Sequence, residues 1–484
     1  MAIGDLLLEK GIISQDQLQL VLHQQKIAGG RLGDNLVALG YLTRGELETI
    51  LQEPPRVANR LEDTGLDANF LLNGLLRTML VSALQTIPEL SEELKLTRGV
   101  IEELLNSAKK EALVEVRGPS DKNYNIMRYA LTGAGKERAN EALHRCEYIG
   151  PVPITLDEYQ TQVQKQTITN EVIGIEKLQR AMSHLVLAPD TVRRLGPAAN
   201  SGRAILIYGA AGNGKTSIAE ALISAFEQPV YIPYCIEADG QIIKIFDPSV
   251  HMPFPTSSNG HDYTSPILLP HLEHDPRWVR CKRPYVISGG ELTLEMLDLD
   301  FDIHSKYYEA PLQMKAIGGV FVIDDFGRQR VRPHELLNRW IFPLERKLDY
   351  LTLHTGKKFS VLFDQLVIFA TNFPPEELMD PAQLRRVHYK MKINPPTEEE
   401  FREIFQRICD SYGLDFNDDI MSYLLKTFYL KHKVPFAGFH PKFIAEHVIA
   451  ACNYLGTPPE ISQQMLSDSL EDMVILPQPG TSLE

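Results

Sequence analysis

The period of the apolar residues changes several times along this chain, and the changes divide it. In the first fifty residues the pattern repeats. Gly4-Asp5-Leu6-Leu7-Leu8-Glu9-Lys10-Gly11 returns as Gly33-Asp34-Asn35-Leu36-Val37-Ala38-Leu39-Gly40, an offset of 29 residues (33 − 4), and Ser14 and Leu18 return as Thr43 and Leu47. Each copy reads as a short helix, a glycine stop, a Ser/Thr N-cap and a second amphipathic helix. Two copies can bury their apolar faces against each other, and Pro54-Pro55 closes a module over 1–54.

Residues 66–148 follow another pattern. A helical run over Phe70–Leu84 precedes Leu94-Lys95-Leu96-Thr97, where Thr97 is placed to cap a helix through Val100, Ile101, Leu104, Leu105 and Ala108. Strand-like Ala112–Val116 and Met127–Leu131 flank the turn Gly118-Pro119-Ser120-Asp121, and a helix starts near Thr132. Helices, hairpin and helix in this order resemble a winged-helix domain. A linker with Pro151 and Pro153 and a glutamine-rich stretch over 160–166 follow.

From Val172 to Ile393 apolar strand-like runs alternate with helical patterns, the signature of an α/β unit with a parallel sheet covered on both faces. We delimit this unit as 165–395. Residues 396–474 read as all helix, including Glu398–Cys409, Ile420–Leu430 and Lys442–Tyr454.

Within the α/β unit, strand-like Ala204-Ile205-Leu206-Ile207-Tyr208 runs into Gly209-Ala210-Ala211-Gly212-Asn213-Gly214-Lys215-Thr216 and then a helix from Ser217. This is GxxxxGK[ST] in its strand–loop–helix setting. Gly209, Gly212, Asn213, Gly214, Lys215, Thr216 and Ser217 form a cradle whose backbone N–H groups and helix N-terminus suit a phosphate chain. Lys215 neutralises β and γ phosphates and the Thr216 hydroxyl ligates Mg²⁺. Gly319-Val320-Phe321-Val322-Ile323-Asp324-Asp325 supplies the second half. Asp324 helps hold the metal, and Asp325 orients or deprotonates the attacking water. ATP and Mg²⁺ are the expected ligands.

On these motifs the stretch from Val172 to Tyr454 resembles AAA+ ATPases, with 396–474 as the helical lid. The resemblance implies a sensor-1 strand in Leu366–Asn372, with Asn372 near the γ-phosphate. It implies an arginine finger in Asp380-Pro381-Ala382-Gln383-Leu384-Arg385-Arg386, with Arg385 or Arg386 acting on a neighbour's nucleotide in a homo-oligomeric ring, usually a hexamer. It also implies adenine contact near Val172-Ile173-Gly174, at Ile173, and a sensor-2 position at Lys442. Two positions depart from the family: Asp325 replaces the usual glutamate, and Lys442 the usual arginine. The spacing of 109 from Lys215 to Asp324 (324 − 215) leaves room for an insert over about 236–317. With a hairpin over Leu351–Phe363, this resembles the MoxR-like, helix-2-insert branch of protein remodellers. In that branch Tyr307 and Tyr308 would face a pore and a protein client would be the substrate of remodelling. His251, His261, His271, His274 and Cys281 lie in the same insert, where solvated or hydrogen-bonded histidines are expected in preference to a zinc site.

The front repeat resembles the tandem domain that precedes type II secretion and type IV pilus ATPases, some of which bind cyclic di-GMP. Arg31, Leu32, Gly33, Leu47 and Leu51 match in one copy, and Gly4, Leu18, Leu22 and Gln25 in the other. The candidate ligand contacts are Arg31, Leu32, Gly33 and Gln25. Ala2 and Pro54 stand where the family has arginine and glutamine, and a purely structural adaptor is the other reading. For the winged-helix-like region, residues 91–145 carry ten Lys/Arg against nine Asp/Glu. Phosphate contacts need a basic face, so a protein partner is expected before nucleic acid. A DNA-binding ATP-dependent regulator and a nucleotide-gated scaffold remain as alternatives.

Composition bounds these readings. A chain of 484 residues exceeds one core and predicts two to four domains. A net charge of −14 argues against a surface that embraces nucleic acid throughout. Five cysteines without CxxC spacing predict a reducing compartment. Neither a signal-peptide pattern nor an apolar run of membrane length is present, so a cytoplasmic protein is expected.

Overall fold

The computed structural model describes residues 4, 7–8, 11–28, 32–51, 53–119, 126–254 and 273–473. At its centre lie β1 (Ile205–Tyr208), β2 (Tyr285–Ser288), β3 (Val320–Ile323), β4 (Leu366–Thr371) and β5 (Tyr389–Lys392). They form one sheet in the order β5-β1-β4-β3-β2, with every pairing parallel. Ile205, Ile207, Val320, Val322, Leu366 and Ile368 face the helices Pro189–Ser201 and Lys215–Ser224. Leu206, Phe321, Ile323, Val367 and Phe369 face the helix Pro333–Arg346, whose Trp340 lies edge-on to Phe321 with ring centroids 5.4 Å apart. Burial on both faces is why these strands are continuous apolar runs.

The span assigned to an insert does not behave as one piece. β2 comes from inside 236–317 and is the edge strand of the central sheet, paired with β3 from Val320↔Tyr285 to Ile323↔Ser288. The rest of that span supplies Cys235–Ala238, Gln241–Lys244, Asp300–Phe301 and Tyr308–Glu309 to a second five-stranded sheet, whose far edge is Ile154–Thr155. The region read as a proline-bearing linker is therefore structured. Thr155 caps the helix Leu156–Lys165 through Glu158 N–H, and Tyr159 and Val163 are buried. Gln166 continues the order, exchanging 2.8 Å hydrogen bonds with the backbone N–H and C=O of Tyr231.

In the front segment the helices Gln15–Ala28, Leu32–Ala38 and Arg44–Leu51 are described. Ser14 and Gln17, and likewise Thr43 and Glu46, cap their helices reciprocally. The core repeats at the sequence offset: Leu7 with Leu36, Ile13 with Leu42, Leu18 with Leu47. Gly4 and Gly33 are equivalent too. A Cβ on either would press to 2.6 Å on Leu18 or 2.9 Å on Leu47.

The next segment holds helices Ala68–Val81, Ile87–Leu94 and Arg98–Lys110, the hairpin Val114–Pro119 with Met127–Leu131, and the helix Gly133–Arg145. The helix Ile87–Leu94 was not anticipated, though Thr86 and Glu89 form a capping box around Pro88. Thr97 stands at an N-cap, but its hydroxyl donates to Ala58 C=O at 2.9 Å instead of capping.

The C-terminal helices Glu398–Tyr412, Asp418–Leu424, His440–Leu455 and Gln463–Met473 pack around Phe401, Phe405, Met421 and Ile444. The expected helix Ile420–Leu430 is broken in kind: Leu425–Tyr429 is a π-helical turn leading into Leu430–His432. Among the described residues no helix is long and apolar enough to cross a membrane.

Candidate functional site

The loop after β1 and the ends of β3 and β4 meet at the carboxyl edge of the central sheet, where parallel α/β sheets hold ligands. Lys215, buried at 8% exposure, donates from Nζ to Gly209 O (3.1 Å), Ala210 O (3.0 Å) and Asn372 Oδ1 (2.6 Å). Burial pulls its pKa below the ordinary lysine value, while Asp324 and Asp325 oppose the fall. The Thr216 hydroxyl donates to Asp324 Oδ2 at 2.9 Å. Asn372 Nδ2 reaches Asp325 Oδ1 at 3.3 Å. Lys215, Thr216, Asp324, Asp325 and Asn372, drawn from three separate stretches, thus form one connected cluster.

Asp325 has a left-handed backbone, φ +47°. Aspartate is among the non-glycine residues enriched in that conformation. The turn is over-determined: Asp325 N–H donates to Asp324 Oδ1 (2.9 Å), and Gln329 Nε2 donates to Asp324 O (2.7 Å) and Asp325 O (3.1 Å). Gln329 belongs to the site and carried no sequence signal, since no spacing rule connects it to the carboxylates.

The helical unit touches the phosphate loop directly. Phe439 N–H donates to Gly212 O at 2.9 Å, and Gly438 N–H to Asn213 Oδ1 at 3.1 Å. Gly212 has φ +74°, and a Cβ there would lie 2.1 Å from Phe439 Cδ1. The residue from this segment that meets the loop is therefore Phe439, not Lys442. Lys442 is exposed and faces Glu446 of its own helix at 3.8 Å. Asn213 likewise turns its side chain to the helical unit, while Gly209, Gly214 and Ser217 remain in the loop and the first turn of its helix. Ile173 is buried, and Asn200 takes both its amide (2.8 Å) and its carbonyl (3.0 Å). Its backbone therefore faces the fold, and the neighbouring Val172 side chain is the exposed one.

The two arginines separate clearly. Arg386 is held by Glu345 (2.8 Å) and Ala382 O (2.8 Å). Arg385 is exposed and makes no such contact among the described residues. Tyr308 is buried at 1% exposure with its hydroxyl on His354, and Tyr307 packs edge-on against Tyr148, so Tyr308 is a packing residue and not a pore-facing one. His251 binds Asp247 N–H (2.9 Å) and Lys315 O (2.8 Å) through its two ring nitrogens. His261 and His271 lie outside the described residues, among which no metal-binding cluster of His, Cys, Asp and Glu occurs.

In the front module Arg31 lies outside the described residues. Leu32 packs on the module's core, Gly33 lies against Leu47, and Gln25 is half-buried. Leu18 and Leu47, which match the resembled repeat, are core residues at 7% and 4% exposure.

Comparison with known proteins adds little to this geometry. A family described as a domain of unknown function, DUF8689, matches residues 397–471, the helical unit. No curated protein matches the chain. Among solved structures, NtrX from Brucella abortus in complex with ADP is 15% identical over 73% of this chain and 68% of its own, with a TM-score of 0.37. A second NtrX structure is 12% identical with a TM-score of 0.36, and this chain spans 62% of it. RuvB from Thermotoga maritima, titled a Holliday junction branch migration motor, is 14% identical over 66% of this chain and 71% of its own, at 0.32. Likenesses this weak leave the reading of the site to its own residues.

Proposed function

We propose that this chain is an ATPase of the AAA+ type. The observation that carries the proposal is the cluster in which Lys215, Thr216, Asp324, Asp325 and Asn372 converge at the sheet edge. Thr216 and Asp324 present hard oxygen donors 2.9 Å apart, a donor set that fits Mg²⁺. When bound, Mg²⁺ neutralises phosphate charge. Lys215 binds the β and γ phosphates, exchanging its present backbone partners for phosphate oxygens. Asp325 orients a water and takes its proton as the oxygen attacks the γ-phosphorus, and the bond to the bridging oxygen breaks to give ADP and phosphate. Asn372, between Lys215 and Asp325, positions both.

Arg385 supports an assembly in which one copy completes its neighbour's site, since it is exposed and shows no hydrogen-bond or ion-pair partner among the described residues. We read the products of that cycle as movement of the helical unit through Phe439, acting on a protein client in a ring. The front module, with its repeated core, is then a docking or regulatory unit for which cyclic di-GMP is a ligand to test. The test of the whole proposal is ATP turnover and particle mass of the purified chain beside Lys215→Ala. Turnover should fall by about 10²-fold or more in the variant. A wild-type chain without turnover, or turnover untouched by the substitution, contradicts the proposal.

A further inference from the structure

Away from the sheet edge, a cavity of about 230 Å³ lies between the helix–hairpin segment and the second sheet. Its wall includes Phe70, Asn73, Arg77, Arg145, Gln241 and Lys306. Since a water needs only about 10–15 Å³ on the same measure, the space suits a small organic molecule. Three of the lining side chains are cationic and none is acidic.

Arg77 is the decisive residue. It is 8% exposed, its NH1 donates to Cys146 O at 3.0 Å, and its Nε has no partner. Burial pushes its pKa down, and no carboxylate offsets this; the opposing influences come only from Cys146 and Tyr148. A buried charge without a counter-charge is costly, and native structures normally supply one. Lys306 also spends a donor on the same helix end, at His144 O. Capping helix carbonyls accounts for one donor on each of these side chains. It does not account for the remaining guanidinium and ammonium donors, nor for a lining with three cationic side chains and no acidic one among the described residues. Asn73 adds to the donor set: its side-chain oxygen accepts from Arg138 Nε at 3.1 Å, which leaves its NH₂ as a donor.

We infer that this cavity is a binding site for a small oxyanion metabolite, bearing phosphate or carboxylate groups, whose charge is met by Arg77, Arg145 and Lys306. The ligand would bridge two parts of the fold, because Arg77 and Arg145 belong to helices Ala68–Val81 and Gly133–Arg145 while Gln241 and Lys306 belong to the second sheet and its loop. Those parts already touch through Glu147 N–H on Ser305 O at 2.8 Å. The inference stands apart from the ATPase reading.

The test is calorimetric titration of the full-length Lys215→Ala protein, which removes phosphate binding at the nucleotide loop. Inorganic phosphate is the probe in one arm and succinate in the other, so the two anion types are distinguished. Binding of one of them at one site per chain is expected, weakened about tenfold or more by Arg145→Ala and by Lys306→Ala, both at accessible positions. Arg77→Met should abolish binding without lowering the thermal midpoint, because it replaces an unpaired buried charge with an apolar stem. If neither anion binds, or binding survives Arg145→Ala and Lys306→Ala undiminished, the inference is overturned. It is equally overturned if Arg77→Met lowers the midpoint while binding persists, since Arg77 is then only a helix cap.

Discussion

Arg385 and Arg386 adjoin in sequence and differ in everything that matters to their roles. Arg386 spends its guanidinium on Glu345 and Ala382, whereas Arg385 makes no hydrogen bond or ion pair among the described residues. Arg385→Ala should therefore cut ATP turnover by about 10³-fold, the scale of a lost arginine finger, with nucleotide affinity little changed. Arg386→Ala should act on stability instead, lowering the thermal midpoint. Steady-state kinetics and melting curves of the two variants check this, and equal kinetic losses would sink the distinction. The turn of loop 209–216 between β1 and its helix was legible in sequence because its pattern is local: glycines, lysine and threonine at fixed spacing after a strand. The choice between the two arginines was not legible, because it depends on Glu345, forty-one residues upstream (386 − 345). The positive φ of Asp325 was equally hidden, because no local motif marks it.

At the scale of elements, the turn entering His440–Leu455 links the helical unit to the nucleotide loop, and one titratable group sits in it. His440 is 4% exposed, with Nδ1 2.9 Å from the Tyr429 hydroxyl. Burial holds its pKa down at about 4, against an ordinary 6.5, and its place at a helix N-terminus disfavours a cation further. The sign follows from proton binding. Between pH 6.5 and 4 the unfolded imidazole takes up a proton that the native one refuses. Stability is therefore intact above 6.5 and is lost as pH falls through that window. His440→Asn, which keeps an acceptor for Tyr429, should flatten this part of the melting-temperature profile relative to wild type. A profile unchanged by the substitution would count against a neutral, buried His440. Elements with a clear period were legible, including the parallel strands and the repeated front helices. β2 was missed because it follows a long excursion after the strand Val230–Pro233 and reads, in isolation, like the insert around it. The contact of Phe439 with Gly212 is backbone to backbone, so no charge or side-chain pattern marks it in the sequence.

For the whole molecule, distant segments are joined through a few buried polar groups. Asp275 and Arg277, both 1% exposed, form the densest of these. Arg277 donates to both oxygens of Asp275 and to Pro153 O, and lies 3.4 Å from Glu158, while Asp275 N–H donates to Pro55 O and Asp275 Oδ2 accepts from Ala58 N–H. The residues after the front module, those entering the strand Ile154–Thr155 and those entering the strand Trp278–Cys281 meet there. Asp275→Ala leaves Arg277 buried with one distant carboxylate and should cost about 3–5 kcal/mol, visible as a large loss in denaturant midpoint. A change within the scatter of surface substitutions would show that the junction is not structural. No periodicity or motif announces such a junction, since its members lie up to 222 residues apart (277 − 55). The central claim, that the sheet edge hydrolyses ATP, is tested most directly by comparing phosphate release and ATP binding in wild type and Asp325→Asn. The substitution keeps the shape and the left-handed backbone but removes the base. The account predicts ATP affinity within about threefold of wild type and turnover lower by about 10²–10⁴-fold. Equal turnover in the two proteins would contradict it.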